Sequence, residues 1–254
     1  MAKHDRGEIQ AVARAFGIVE TLTELDGAGV SELARAVELP KSTVHNHLRT
    51  LERTEYVVRE DGEYRTGLKF LQISETARNQ HELYQVARPE VDHLAEKTGE
   101  ISALLTEEHG RGVFLYRSRG SEAARIDTRI GDRVPIHCTA LGKAVLAFLP
   151  DDRQDEIIDR HGLTAVNANT ITDPRTLAEE LELIRERKIA YDDEERLNGL
   201  RSVAAPILSG SGAVIGSISV AGPTHRMQGE RFETDLPETV LGIANVIELT
   251  LEHA

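Results

Sequence analysis

Apolar residues recur at helical spacing in the first fifty positions, in three separate stripes. Ile9, Val12, Ala13, Phe16, Val19 and Leu22 form one, which predicts a helix able to pack behind the pair that follows. Ser31 reads as an N-cap, with Glu32 in the first turn against the positive end of the helix dipole. Leu33, Ala34 and Val37 then share one face. Pro40 interrupts the pattern where a helix can begin. Val44, Leu48 and Leu51 make the third stripe at i, i+4 and i+7. Two short helices joined by a tight turn are the outline of a helix-turn-helix, a shape that fits the DNA major groove.

The polar face of the second helix adds chemistry to that outline. Lys41, Ser42, Thr43, His45, Asn46 and Arg49 lie opposite its apolar stripe, and no acidic residue occurs from Lys41 to Leu51. A solvated face that lacks acid by chance is the alternative. The context favours the reader. Tyr56–Arg59 and Tyr64–Thr66 are β-prone runs around Glu60-Asp-Gly-Glu63, so they predict a hairpin, a wing. Arg59 and Arg65, near its base, are candidates for phosphate contacts. Residues 1–69 are therefore expected to form a winged helix-turn-helix domain that binds double-stranded operator DNA.

Beyond the wing, a helix is predicted from Leu68–Leu71 to about Asn79, and another from about Pro89 to Lys97, stopped by Gly99. Leu83, Val86, Ala87, Val91 and Leu94 give this linker region, residues 70–98, a thin apolar stripe. A second subunit is the expected cover, since such readers grip two half-sites as dimers. Residues 99–254 alternate strand and helix. Strands are expected at Glu100–Thr106, Gly112–Arg117, Ala124–Ile130, Ser202–Leu208 and Ala213–Val220. Helices are expected at Ala140–Leu149, Arg175–Lys188 and Leu236–Glu252. That order fits an α+β domain with an antiparallel sheet flanked by helices.

Charge refines the division. The chain of 254 residues carries a formal net charge of −13. Residues 1–69 hold ten Lys or Arg against twelve Asp or Glu, and the remainder 20 against 31, so the acid is concentrated away from the reader. Only six of the 30 basic residues are Lys. Abundant acid, scarce Lys and few aromatics point to a halophilic archaeon, an ordinary acidic regulator being the alternative. At molar salt, screening lengths fall to about 3 Å, so an acidic surface costs little self-repulsion. Counterion release then drives DNA binding less, and contacts to base edges matter more. A single cysteine, Cys138, rules out an intrachain disulfide and a multi-cysteine zinc site. The first residues lack the apolar core of a signal peptide, and no run reaches the ~20 apolar residues of a membrane span. A cytoplasmic protein without a membrane partner is expected.

Four motifs in order resemble the IclR family of transcription regulators: Leu39-Pro-Lys-Ser-Thr-Val-His45, Pro135-Ile-His-Cys-Thr-Ala-Leu-Gly-Lys-Ala144, Tyr191-Asp-Asp-Glu-Glu195 and Gly216-Ser-Ile-Ser-Val-Ala-Gly-Pro223. The resemblance spans nearly the whole chain. It implies a GAF-like effector domain for a small metabolite, an organic acid or sugar-derived compound, and dimers that pair into tetramers on DNA. It also implies control of catabolic genes, as repressor or activator. Carried over by position, the effector pocket comprises Thr139, Ala140 and Leu141 at a helix start, Asp192 as a closing acid, Ser202, Ser219 and Ala221, with Ala123 and Ile126 as an apolar wall. A helix start suits a carboxylate. Two departures from the family pattern, Ala221 for a hydroxyl and the bulkier Ala140-Leu141 pair, reduce polar reach.

Other readings are weaker. Cys138 beside His137 is a poor nucleophile–base pair, because sequence neighbours rarely reach that geometry. A buried packing cysteine or a redox sensor fits better. His45 and His47 point to different sides of a helix, so a metal site there is not expected. Asp192-Asp-Glu-Glu195 reads as an acidic surface loop from which only Asp192 is singled out. The expected protein is thus no enzyme and has no metal or cofactor. The alternative is a GAF-like small-molecule or redox sensor, or an enzyme, acting without DNA.

Overall fold

The computed structural model describes residues 9–126 and 128–253. The chain divides after Gln80 into two units, each with its own core.

In the first unit, helices α1 (Gln10–Glu24), α2 (Val30–Ala36) and α3 (Lys41–Arg53) precede strands β1 (Val57–Glu60) and β2 (Glu63–Thr66) and helix α4 (Lys69–Asn79). Ile18, Leu22, Leu33, Val44, Leu48, Val57 and Tyr64 meet in the core. Asp61 and Gly62 both take positive φ, 51° and 89°, so the Asp-Gly step makes the tight two-residue turn whose twist suits a hairpin. A backbone bridge ties Ala28 to Tyr64 and pins the wing to the segment after α1. Gly27 sits beside that bridge at φ 107°, where a side chain would collide with Arg65. Helix α4 docks through Phe70, whose ring lies 5.1 Å from that of Tyr56, and through Lys69, which donates to the Thr54 carbonyl at 3.0 Å.

Two details differ from the sequence expectation. Gly29, not Ser31, occupies the N-cap of α2, and its carbonyl accepts the Leu33 N–H at 3.0 Å; Ser31 is already inside the helix. Helix α1 buries only its second half. Ile9, Val12 and Phe16 remain 69%, 51% and 59% exposed. The seven residues of α2 span about 10 Å, too short to cover the roughly 22 Å of α1.

The second unit begins with α5 (Glu82–Thr98) and builds a six-stranded antiparallel sheet. Its strands are β3 (Ile101–Glu108), β4 (Arg111–Arg119), β5 (Arg133–Pro135), β6 (Ala190–Asp193), β7 (Leu200–Leu208) and β8 (Val214–Pro223), in spatial order β5-β4-β3-β8-β7-β6. Helices α5 and α9 (Leu236–Glu252) cover one face over Leu104, Val203, Ile218 and Val220. Helices α6 (Ala140–Leu146), α7 (Asp151–His161) and α8 (Pro174–Arg187) lie on the other, over Ala103, Leu105, Phe114 and Ala204. The fold is α+β, as expected. Among the described residues no helix is long and apolar enough to cross a membrane.

Three expectations are corrected here. Helix α5 starts at Glu82 rather than near Pro89, which lies inside it. Leu83, Ala87, Val91 and Leu94 form one buried face running through Pro89, and their burial offsets the backbone bond that proline removes. That face is covered by α9 and the sheet of the same chain, not by a second subunit. The described residues of 124–130 form no strand, Asp127 lying outside the described residues. The carbonyls of Ile126 and Thr128 accept instead from the Arg117 guanidinium, so this backbone is satisfied by a side chain rather than by a ladder.

Candidate effector cavity and DNA-reading face

On the α6 side of the sheet, registered partners form rows that share a face. One row runs Asp192, Ser202, Ala221, Ile101, and the next runs Ala190, Ala204, Ser219, Ala103, Arg117. Most of these side chains are small. A sheet paved with Ala and Ser cannot fill the space below a helix start, and a cavity of about 480 Å³, open solvent at its mouth included, remains. Thr139 and Leu141 close it from α6, Ile126 and Thr128 from the loop after β4, Arg196 from the loop between β6 and β7, and Leu200 from the start of β7. Ile101, Ala103 and Phe114 complete an apolar wall.

Seven residues singled out in the sequence thus come together: Ile126, Thr139, Leu141, Asp192, Ser202, Ser219 and Ala221. Ala140 and Ala123 do not join them. Ala140 is fully buried in the core beneath α6, and Ala123 sits in a turn where its carbonyl accepts from Arg119 at 3.1 Å. Thr139 caps α6, its hydroxyl accepting the Gly142 N–H at 2.9 Å.

Apart from Asp192, the cavity's polar end is built on charges that sequence reading missed. Asp192 is 4% exposed and accepts the Glu195 N–H at 2.8 Å. Burial, then repulsion from the Glu195 carboxylate, push its carboxyl up to about 7. Glu195 is also buried and bonds Lys143 Nζ at 2.5 Å; desolvation raises its affinity for a proton, and Lys143 opposes that. Lys143, 1% exposed, is the largest fully buried side chain among the described residues, and Glu180 lies 3.8 Å from its ammonium. Glu195 is therefore an interior group like Asp192, not part of the surface loop that the acidic run suggested; Asp193 faces solvent and Glu194 is half-buried. The readable signal was Lys143 itself, a lone charge in the apolar run Ala140–Leu149. Arg196 carried no such signal, because its role depends on the distant Phe114 and Thr128. It lies with its guanidinium carbon 5.8 Å from the Phe114 ring centre, and its Nη1 donates to the Thr128 hydroxyl at 3.2 Å.

His137 and Cys138 form no nucleophile–base pair. The Cys138 thiol donates to the Pro135 carbonyl at 3.3 Å, and burial pushes its pKa up to about 11. His137 Nε2 lies 3.2 Å from the Thr164 carbonyl, and burial lowers its proton affinity.

In the first unit, Lys41, Ser42, His45, Asn46 and Arg49 are exposed along α3 and Thr43 is half-buried, while Val44 and Leu48 anchor the opposite side in the core. His47 is half-buried, away from this face. Arg59 and Arg65 are exposed on the wing, but on opposite faces of it. Arg59 opposes Tyr64 and lies 5.4 Å from that ring, while Arg65 opposes Val58 and reaches across Gly27.

The model of the IclR helix-turn-helix domain matches residues 11–61, and that of the bacterial transcriptional regulator IclR C-terminal domain matches residues 75–249. The chain belongs to the IclR family. It is a transcription regulator that reads DNA through a helix-turn-helix and carries an effector domain behind it. Its relatives include the Halobacterium salinarum protein named "Probable HTH-type transcriptional regulator ArcR", 35% identical over 97% of this chain and 95% of the relative. The transcriptional repressor IclR of Escherichia coli is 29% identical, over 96% and 90% of the two chains. Among solved structures, an IclR homolog from Microbacterium hydrocarbonoxydans complexed with 4-hydroxybenzoate matches with a TM-score of 0.83 at 25% identity. It covers 96% of this chain and 100% of that one.

Proposed function

We propose that this IclR-family regulator senses a small organic acid or sugar-derived metabolite in the cavity of its second unit and changes its operator affinity in response. The observation that carries the reading is the cavity: small residues of β3, β7 and β8 leave a space that α6 and two loops close, with polar groups at one end. Apolar walls with a few placed polar groups are what a small-molecule site requires. The bound 4-hydroxybenzoate of the Microbacterium homolog supports a ligand of this size and class.

Residues 1–69 act as the reader in this proposal, with Lys41, Ser42, Thr43, His45, Asn46 and Arg49 facing the major groove and Arg59 and Arg65 available to phosphates. Residues 70–98 couple the reader to the sensing residues 99–254. Ile126, Thr139, Leu141, Asp192, Ser202, Ser219 and Ala221 contact the effector. The protein works in the cytoplasm as a dimer or a pair of dimers, controls catabolic genes and catalyses no reaction. The effector acts by linkage: it shifts operator affinity only as far as its own affinity differs between the DNA-competent and incompetent arrangements.

The test is operator binding by fluorescence anisotropy, with and without effector, in the wild type and in Ala221→Leu, which fills the cavity floor. A ligand-dependent change in operator affinity, lost in Ala221→Leu while ligand-free operator binding persists, is expected. A response that survives in Ala221→Leu would place the effector elsewhere.

A further inference from the structure

We infer that Arg196 is the anion-recognition residue of the cavity, so that the effector is a carboxylic acid whose carboxylate meets this guanidinium and whose apolar body lies along Phe114, Ile101 and Leu141. The inference rests on the reading of the cavity as the effector site. It goes further by naming the group that selects the ligand's charge.

The geometry is that of a positioned charge. Arg196 lines the cavity from the loop between β6 and β7. Its guanidinium is held on two sides, by the Phe114 ring and by the Thr128 hydroxyl. Neither partner is an anion. Among the described residues no carboxylate lies within salt-bridge distance of Arg196, although Asp192 lines the same cavity. The acids nearby are committed elsewhere: Glu195 is ion-paired with Lys143, and Asp193 with Arg201 at 2.5 Å. A guanidinium that is half-buried, set beside an aromatic ring and without an anion is a strong site for a carboxylate, which it can grip through two parallel N–H bonds. Asp192 sits in the same cavity and takes up a proton near neutrality, because burial and Glu195 oppose its charge. It then presents a neutral, hydrogen-bonding carboxyl rather than a repelling carboxylate. One fixed cation and one neutral acid favour a monoanion with a hydroxyl or carbonyl oxygen at its far end.

The experiment is calorimetric titration of the full-length protein with matched acid and amide pairs: 4-hydroxybenzoate and 4-hydroxybenzamide, benzoate and benzamide, and lactate and lactamide. These are run on the wild type, Arg196→Met, Arg196→Lys and Ala221→Leu, each with its circular dichroism and melting curve recorded. The wild type should prefer an acid over its amide by about tenfold to a hundredfold, the range for a charge-assisted hydrogen bond. Arg196→Met should lose that preference while the amide's affinity stays within about threefold, and Arg196→Lys should restore part of it. An unchanged acid preference in Arg196→Met overturns the inference, as does a wild type that binds amides as well as acids or binds none of the acids. Binding that persists in Ala221→Leu overturns the cavity reading itself. Binding lost in Ala221→Leu together with an unchanged acid preference in Arg196→Met overturns only the role of Arg196.

Discussion

Replacing Asp192 by Asn should stabilise the second unit most at alkaline pH and less than half as much in mild acid. Asn preserves the shape and the oxygen that accepts the Glu195 N–H, and it removes the charge. The folded carboxyl titrates at about 7 against an ordinary 3.8, because burial and Glu195 disfavour its ionisation. Between those values the folded state holds a proton that the unfolded chain has released, so stability falls as pH rises from about 4 through about 7. At 1.36 kcal/mol for each factor of ten, the full effect is about 4 kcal/mol, reached above the folded value. In a unit of this size that corresponds to a melting shift on the order of 10 °C. His137 opposes this slope, since its lowered proton affinity costs stability as pH falls below its ordinary value of 6.5. The difference between variant and wild type cancels that contribution. Differential scanning calorimetry from pH 5 to pH 8.5 is the assay. A melting difference of about 4 °C at pH 5 that grows to about 10 °C by pH 8.5 is expected. A constant difference across the range would refute the idea that Asp192 is a desolvated carboxyl.

Three further outcomes follow from the same region. Lys143→Met should cost about 3–5 kcal/mol in urea unfolding, because it leaves Glu195 buried without its cation, and adding Glu195→Gln should recover most of the loss. Additive losses in the double variant would contradict the pairing. Gly142→Ala should cost about 1–3 kcal/mol in the same assay, because the new methyl would lie 2.0 Å from the Ile136 carbonyl oxygen; a neutral result would show that α6 can shift away. Cys138 should resist a thiol-reactive dye at pH 8 in the folded protein and react promptly in urea, given its burial and a pKa of about 11. Prompt labelling of the folded protein would reopen a redox role.

What the sequence disclosed depended on how local each determinant is. Helix α3, the Asp61-Gly62 turn and α9 are written in short-range periodicity and turn chemistry, and each formed where it was expected. Helix α5 was half legible, because Pro89 reads locally as a start, whereas the face that keeps it helical is set by contact with α9. The sequence at 124–130 alternates like a strand, yet a single arginine on β4 takes the carbonyls of Ile126 and Thr128. Helix α7 and strand β6 carry too weak a local pattern to stand out. The cavity's floor was legible through its motifs, since alternate residues of one strand share a face. Its charged end, Asp192 excepted, was not. Lys143, Glu195, Asp192 and Arg196 derive their character from burial and from neighbours on other elements, which spacing along the chain does not encode.

The most direct measurement is a genome-wide map of the DNA occupied by this regulator in its own cells, set beside Arg49→Glu. Arg49 stands exposed on α3, and a reversed charge there repels phosphates and base acceptors alike. Sharp peaks in the wild type that vanish in Arg49→Glu, with the effector affinity of the second unit unchanged, are expected. Peaks that persist in Arg49→Glu would contradict α3 as the reading helix.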